Sequence, residues 1–292
     1  MPELPEVTAL VSDLGSRLIG RVVDRVDIVS FAALKTFDPP VSALAGGRVI
    51  RVSRHGKFLD FQVSPLGEQG SLHLVMHLAR AGWIRWRDTE PILRGRPGKT
   101  ALAARLVLSD GSGLDITEAG TKKSLAIYVV RDASEVPGIH RLGPDPLDAG
   151  FTEEAFAQIL SAQGRSQIKG VLRNQSIIAG IGNAYSDEIL HSARMSPFKP
   201  ANMAADDVTE LYSAMQSTLR TAIERADGLA ASELKREKKS GLQVHGRAGQ
   251  TCPVCGDTVR QVIFADSTLE YCPSCQTGGR LLADRVLSRL LK

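Results

Sequence analysis

Aromatic residues are scarce in this chain, at 5% of 292 residues, which argues against a surface built mainly on base stacking. Long hydrophobic runs are missing too: none approaches the roughly 20 residues needed to span a bilayer. The first stretch does not read as a secretory leader, because Glu3, Glu6 and Asp13 interrupt it and no apolar core follows. A cytoplasmic location is the expectation. Neither sign of charge dominates: 36 Lys and Arg stand against 32 Asp and Glu, a formal net charge of +4. Any affinity for nucleic acid must therefore come from local patches. Cysteine is limited to four residues, and in a cytoplasmic chain these do not read as structural disulfides. Internal repeats and low-complexity tracts are absent. What remains is a globular composition, 43% hydrophobic and 23% charged, long enough for two domains and a small third.

Segments 20–30, 48–53, 58–63, 72–76, 83–86, 101–108 and 125–130 are short, apolar or partly alternating, and separated by glycine and proline. This pattern predicts a β-sandwich. Before it, 6–18 predicts a helix, with Val7, Leu10, Val11, Leu14 and Leu18 on one face. Residues 89–99 read as a loop. Residues 135–150 hold three prolines and three glycines and read as a linker. Beyond it the pattern turns helical: Thr152 caps a helix to about 162, and 167–174, 184–193 and 205–225 follow. Residues 229–247 are polar, basic and read as a loop. The expectation is an α+β chain in four parts: a sandwich domain with an N-terminal helix over 1–134, a linker over 135–150, a helical domain over 151–246, and a cysteine-bearing unit over 247–292.

Cys252-Pro-Val-Cys255 and Cys272-Pro-Ser-Cys275 are two CxxC knuckles separated by sixteen residues, a spacer that suits a β-hairpin. Four thiolates so arranged present a tetrahedral set to one Zn²⁺. With all four positions filled, the ion would be structural, one per chain.

The start, Met-Pro-Glu-Leu-Pro-Glu-Val, offers a different chemistry. Removal of Met1 before the small Pro2 leaves a free secondary amine. An α-amine has a pKa of about 7.7–8.0 against about 10.4 for lysine, so far more of it is unprotonated at neutral pH. Such an amine can attack a sugar C1′ and form an iminium. Glu3 would stand beside it as acid and base.

This start resembles that of the bacterial formamidopyrimidine-DNA glycosylases and endonuclease VIII, the Fpg/Nei family. Arg54-His55-Gly56-Lys57-Phe58 resembles the family's lysine-bearing hairpin. Ile168-Lys169-Gly170-Val171-Leu172 and Gly180-Ile181-Gly182-Asn183-Ala184-Tyr185 resemble its helix–two-turn–helix. Val244-His245-Gly246-Arg247 leads into the zinc finger, as in the family. The resemblance spans the chain. It implies an N-terminal β-sandwich with its helix, a helix–two-turn–helix domain and a zinc-finger hairpin. It also implies a monomer that acts on damaged duplex DNA, excising a damaged, oxidised base and cutting the abasic strand.

By the same resemblance Pro2 is the nucleophile, Glu3 the acid/base carboxylate, and Lys57 a phosphate-contacting aid to proton transfer. Glu6 is either a damage-site acid or a structural acid at a helix start. Asn183 donates to a DNA phosphate, caps its helix, or does both. Lys169 would reach the same backbone. Glu188 is either an acid near the bound strand or a buried partner. Tyr185 and Lys238 complete the DNA-facing set, Lys238 within the basic run 235–239, which is either a solvated face or a neighbour of the extruded base.

Three positions depart from the family. Asp266 or Ser267 stands where an arginine usually grips phosphate beside the lesion. In His77-Leu78-Ala79-Arg80-Ala81-Gly82, Arg80 replaces the methionine that fills the gap in the stack, and either plugs it or touches phosphate. Lys122 and Lys123 occupy a loop that carries an Arg-Phe pair in the formamidopyrimidine type. The chemistry is therefore legible while the damaged base is not.

Overall fold

A computed structural model describes residues 1–67, 69–89, 101–264 and 267–283. It divides into two compact units, Met1–Arg141 with Ala226–Lys235, and Leu142–Arg225 with Arg236–Lys292.

The first unit opens with α1 (Leu4–Leu18). The helix starts earlier than the apolar pattern alone indicates because Pro5, in its first turn, lacks only a backbone N–H that would have no helical partner anyway. Two four-stranded antiparallel sheets follow among the described residues. One orders β1 (Val23–Ile28), β6 (Leu102–Leu108), β7 (Gly113–Glu118) and β5 (Gly82–Arg87). The other orders β2 (Arg48–His55), β3 (Phe58–Ser64), β4 (Leu72–His77) and β8 (Ala126–Val130). Their inner faces share one core with α1: Leu10, Leu14 and Leu18 meet Val49, Leu59, Phe61, Leu74, Leu106 and Ile116. Ala226, Ala231 and Leu234 join this core. The Trp83 indole donates to the Ala231 carbonyl at 3.0 Å, and the Ala231 N–H to Asp13 Oδ2 at 3.1 Å. Within 135–150 the chain forms the one-turn α2 (Pro137–His140) and then passes to the second unit.

Strand β7 is absent from the sequence pattern for a physical reason. Asp115 lies at its centre and is buried, held by Arg105 at 2.7 Å and Arg87 at 2.7 Å. The arginines keep its carboxyl ionised against the burial that opposes it. A charge inside a strand breaks the hydrophobic signal although the strand is fully paired.

The second unit contains α3 (Glu153–Gln163), α4 (Ile168–Arg173), α5 (Asn183–Ser192) and α6 (Ala205–Ala226), less its last residue. Thr152 caps α3 through its hydroxyl. Then come most of α7 (Leu234–Gly241), the hairpin β9 (Arg260–Ile263) and β10 (Thr268–Tyr271), and the short α8 (Pro273–Thr277). Phe156, Leu160, Leu172, Ile189, Leu211 and Met215 form its core. The stretch 229–247, read as a loop, contains α7. Lysine, arginine and glutamate are good helix formers, and the segment's polarity hid them. No helix among the described residues is long and apolar enough to cross a membrane. The expected loop at 89–99 falls almost wholly outside the described residues.

Candidate active site and metal centre

Glu3 is the N-cap of α1 and Glu6 its third residue. The Glu6 carboxylate reaches back and accepts the Glu3 N–H at 2.8 Å, half of a capping box. Pro2, Glu3 and Glu6 are all buried. The chain's first residues are thus a fixed element. The Glu6 carboxylate is engaged by the chain's own backbone. A carboxylate at this position also meets the positive end of the α1 dipole.

Helix α1 packs on β2 and β3. Lys57 sits in the two-residue turn between those strands, where Gly56 has φ +53°, a left-handed conformation that glycine adopts without strain. Lys57 is buried. His77 lies close: burial, and then the Lys57 charge, push its pKa down to about 4. Its ring packs on Phe58 at 4.7 Å. A neutral imidazole and an ammonium therefore share this corner. In sequence His77 stands only at the start of the His77–Gly82 segment and carries no signal of its own.

A second cluster braces the same hairpin and was also missed. Asp60, 3% exposed, is bracketed by His55 Nε2 at 3.1 Å and His73 Nδ1 at 2.9 Å. Burial opposes the Asp60 charge, but the two imidazoles hold its pKa below the usual range. The bond to Asp60 in turn raises that of His73. His55 immediately precedes the Gly56-Lys57 turn, so this carboxylate anchors one leg of the hairpin.

Arg80 is exposed in the turn after β4, next to Ala79, whose φ is +51°. Lys122 is exposed in the loop after β7. There the Glu118 carboxylate accepts the Ser124 and Leu125 N–H groups at 2.7 and 2.9 Å and fixes the loop's return.

In the second unit several candidates turn inward. Lys169, expected to reach a DNA phosphate, is buried. Its ammonium donates to Asp187 Oδ1 at 2.6 Å, Ser186 Oγ at 2.8 Å and the Asn183 carbonyl at 3.2 Å. A buried carboxylate at that distance holds the ammonium within the unit. Asn183 is the first residue of α5, with Gly182 as its N-cap. Its side-chain amide donates to the Thr268 carbonyl of β10 at 2.8 Å, while its Oδ1 is buried without a partner. Tyr185 is buried, and Lys238 lies over its ring at 4.7 Å, a cation–π contact within this unit. Glu188 accepts the backbone N–H groups of Gln243, Val244 and His245 at 2.8–2.9 Å, which makes it a buried partner.

Asp187 also accepts from His245 Nδ1 at 2.8 Å, and Glu270 Oε2 stands 2.8 Å from the same nitrogen. Burial opposes the His245 charge, but the two carboxylates raise its pKa to about 9. The Glu270 pKa falls to about 2, against burial, through the His245 contact. Lys169, Asp187, His245 and Glu270 form a charge-balanced chain from α4 to β10.

The four cysteine sulfurs lie within 4.8 Å of one another. Cys252 and Cys275 are 3.9 Å apart, Cys255 and Cys272 3.3 Å. Four sulfurs at about 2.3 Å from a tetrahedral zinc stand about 3.8 Å apart, so the set fits one Zn²⁺. His191 Nε2 faces Cys252 Sγ at 3.3 Å, a second-layer contact. Asp266 lies outside the described residues. The Ser267 carbonyl closes the β9–β10 turn by accepting the Phe264 N–H at 2.9 Å.

Three family models match the chain in order: the formamidopyrimidine-DNA glycosylase N-terminal domain over 1–121, the formamidopyrimidine-DNA glycosylase H2TH domain over 142–233, and the zinc finger found in FPG and IleRS over 249–278. A formamidopyrimidine-DNA glycosylase of Symbiobacterium thermophilum is 33% identical over 286 residues, covering 94% of this chain and 89% of the relative. The chain belongs to the formamidopyrimidine-DNA glycosylase family. An uncharacterized formamidopyrimidine-DNA glycosylase-like protein of Mycobacterium tuberculosis is 54% identical over 157 residues, 53% of this chain and 98% of that protein. A structure of the Lactococcus lactis formamidopyrimidine-DNA glycosylase, non-covalently bound to DNA containing an AP site, superposes with a TM-score of 0.78 at 25% identity, over 94% of this chain and 99% of that one. The zinc finger of this family member is the Cys252, Cys255, Cys272 and Cys275 cluster, and it holds a structural zinc ion.

Proposed function

We propose that this protein is a base-excision-repair DNA glycosylase with abasic-site lyase activity that acts as a monomer on damaged duplex DNA. The carrying observation is the fixed, buried N-terminus: Pro2 and Glu3 are held at the start of α1 by the Glu6 cap, in the same unit as the Lys57 hairpin.

Loss of Met1 frees the Pro2 amine. The adjacent α1 dipole disfavours its protonated form and keeps it nucleophilic. The lone pair attacks C1′ of the damaged nucleotide, the C1′–N bond to the base breaks with its electron pair going to the base, and the proton that the Pro2 nitrogen loses passes to the leaving base. Glu3 supplies a proton to the opening sugar oxygen. The resulting iminium acidifies the C2′ proton; the Glu3 carboxylate, having given up its own proton, takes this one, and the C3′–O bond breaks to expel the 3′ phosphate. Lys57, buried beside neutral His77, balances phosphate charge during these steps. The zinc, when bound, fixes the β9–β10 hairpin. Ser267 or Asp266 in place of an arginine favours a second reading, in which base excision outruns strand cutting because the phosphate grip is weaker.

Borohydride reduction of the iminium tests the reading. The mature protein, its loss of Met1 verified by intact mass, is expected to form a covalent adduct on abasic duplex, and Pro2→Gly to form little. Absence of an adduct across abasic and oxidised-base duplexes overturns the Pro2 mechanism. Nicking before and after hot alkali separates the second reading.

A further inference from the structure

The second unit carries a groove of about 300 Å³ bounded by α5, α6 and the residues following α7. Its floor is buried and its ionisable groups there are committed: Glu188 accepts three backbone N–H groups, and His191 faces Cys252. Its rim is different. Ser217, Thr221 and Arg225 stand at i, i+4 and i+8 on one face of α6, with Thr218 beside them, and Arg194 follows the C-terminus of α5. Among the described residues, the hydroxyls of Ser217, Thr218 and Thr221 take no protein partner.

Two further features aim cations at this groove. Arg194 has φ +47° at the position just past a helix end, where glycine is the ordinary occupant. A large side chain held in this conformation is strained, and such outliers persist where the side chain has work to do. Arg225 donates through Nε to Glu237 at 3.0 Å, which leaves its terminal nitrogens for another acceptor. One of those nitrogens lies 2.1 Å from where a Cβ on residue 241 would sit, so Gly241 is what lets the guanidinium lie there. Arg225 stands where this groove meets a second cavity of about 500 Å³.

We propose that the groove binds a phosphate group, gripped by Arg194 and the terminal nitrogens of Arg225, with Ser217, Thr218 and Thr221 donating hydroxyl bonds. Guanidinium forks match phosphate oxygens in pairs, and hydroxyls supply the remaining donors. The Glu188 charge is spent on backbone N–H groups, and that of Glu237 on Arg225 Nε. The phosphate belongs either to a free nucleotide or to a nucleic-acid backbone. This site is independent of the Pro2 chemistry.

The test uses the zinc-loaded full chain and the variants Arg194→Gly and Gly241→Ala. Calorimetric titration with inorganic phosphate and with deoxyadenosine monophosphate reads the free ligand. Anisotropy of an undamaged duplex across a salt series reads the backbone. Arg194→Gly is expected to melt no lower than the wild type, because glycine relieves the φ, yet to bind at least tenfold more weakly to the free ligands. Gly241→Ala should weaken binding by displacing Arg225. If instead the free ligands do not bind and Arg194→Gly lowers the slope of log affinity against log salt by about 0.9, the phosphate is the duplex's own. A wild-type chain and Arg194→Gly that match in free-ligand affinity and in salt slope overturn the site. Borohydride trapping of Arg194→Gly on abasic DNA keeps this result separate from the glycosylase reading.

Discussion

His245 gives a quantitative handle on the second unit. Its pKa of about 9 stands some 2.5 above the ordinary 6.5, because Asp187 and Glu270 both lie 2.8 Å from Nδ1. At about 1.36 kcal/mol per unit, the charged form contributes about 3 kcal/mol to folding. The side chain is 24% exposed, which leaves the figure an upper bound. The sign follows from the raised value: the stabilisation is full below about 6.5 and is lost as pH rises through about 9. On the acid side Glu270, lowered to about 2 from an ordinary 4.5, contributes stability above about 4.5 that is lost as pH falls through about 2. Both figures describe the same contact and do not add. His245→Gln removes the charge at every pH. Urea unfolding of zinc-loaded protein, followed by far-UV circular dichroism from pH 6 to 10, should show the variant weaker by about 3 kcal/mol at pH 6. The gap should then close steadily toward pH 10. A gap that stays constant over that range refutes the reasoning.

Asp60→Asn should cost about 3 kcal/mol, since it leaves two imidazoles without their buried counter-ion, and NMR should show the His73 pKa falling back toward 6.5. Removing zinc with a chelator should disorder the β9–β10 hairpin and release the Asn183 amide from Thr268, seen as loss of amide protection at 268–271 that added zinc restores. Glu3→Gln, which keeps the shape but not the proton, should slow single-turnover base excision by about 100-fold while leaving affinity for abasic duplex nearly unchanged; equal losses in both would place Glu3 in binding alone.

Elements whose signal is one-dimensional were readable. Alternation in β3 and the stripe of α1 follow from which faces are buried, and the cysteine knuckles follow from local spacing. What was not readable depends on pairing. His55, Asp60 and His73 lie on three strands and meet only because Asp60 stands opposite Ser53 on β2 and Val75 on β4, one diagonal step from each histidine. Asp115 broke the pattern of β7 because its neutralising arginines come from the adjacent strands β5 and β6. Lys169 is next to Ile168 at the edge of the buried face of α4, and only Asp187 on α5 turns it inward.

That inward turn changes how departures from the family pattern are to be weighed. Lys169, Asn183, Asp187 and Glu188 read in sequence as DNA-facing or unassigned polar residues. Yet Asn183, Asp187 and Glu188 each tie α5 to the segment that leads into or carries the zinc finger, and Lys169 on α4 joins them through Asp187. Asn183 holds Thr268, Asp187 holds His245, and Glu188 holds the backbone at 243–245. Gln276 adds a bond to the Met195 carbonyl at 3.0 Å, and His191 faces Cys252. Within the β9–β10 hairpin itself, Thr268 takes the Asn183 amide and Glu270 meets His245, contacts that add to its metal. Whichever of Asp266 and Ser267 stands at the family's arginine position, the expected effect of the change is on phosphate affinity and its salt dependence. Restoring the cation with Ser267→Arg should steepen the salt dependence of binding to abasic duplex by about one phosphate contact and raise the share of strand cutting that needs no alkali. A variant that binds more tightly at low salt but with an unchanged slope would show that the hairpin tip does not meet the backbone.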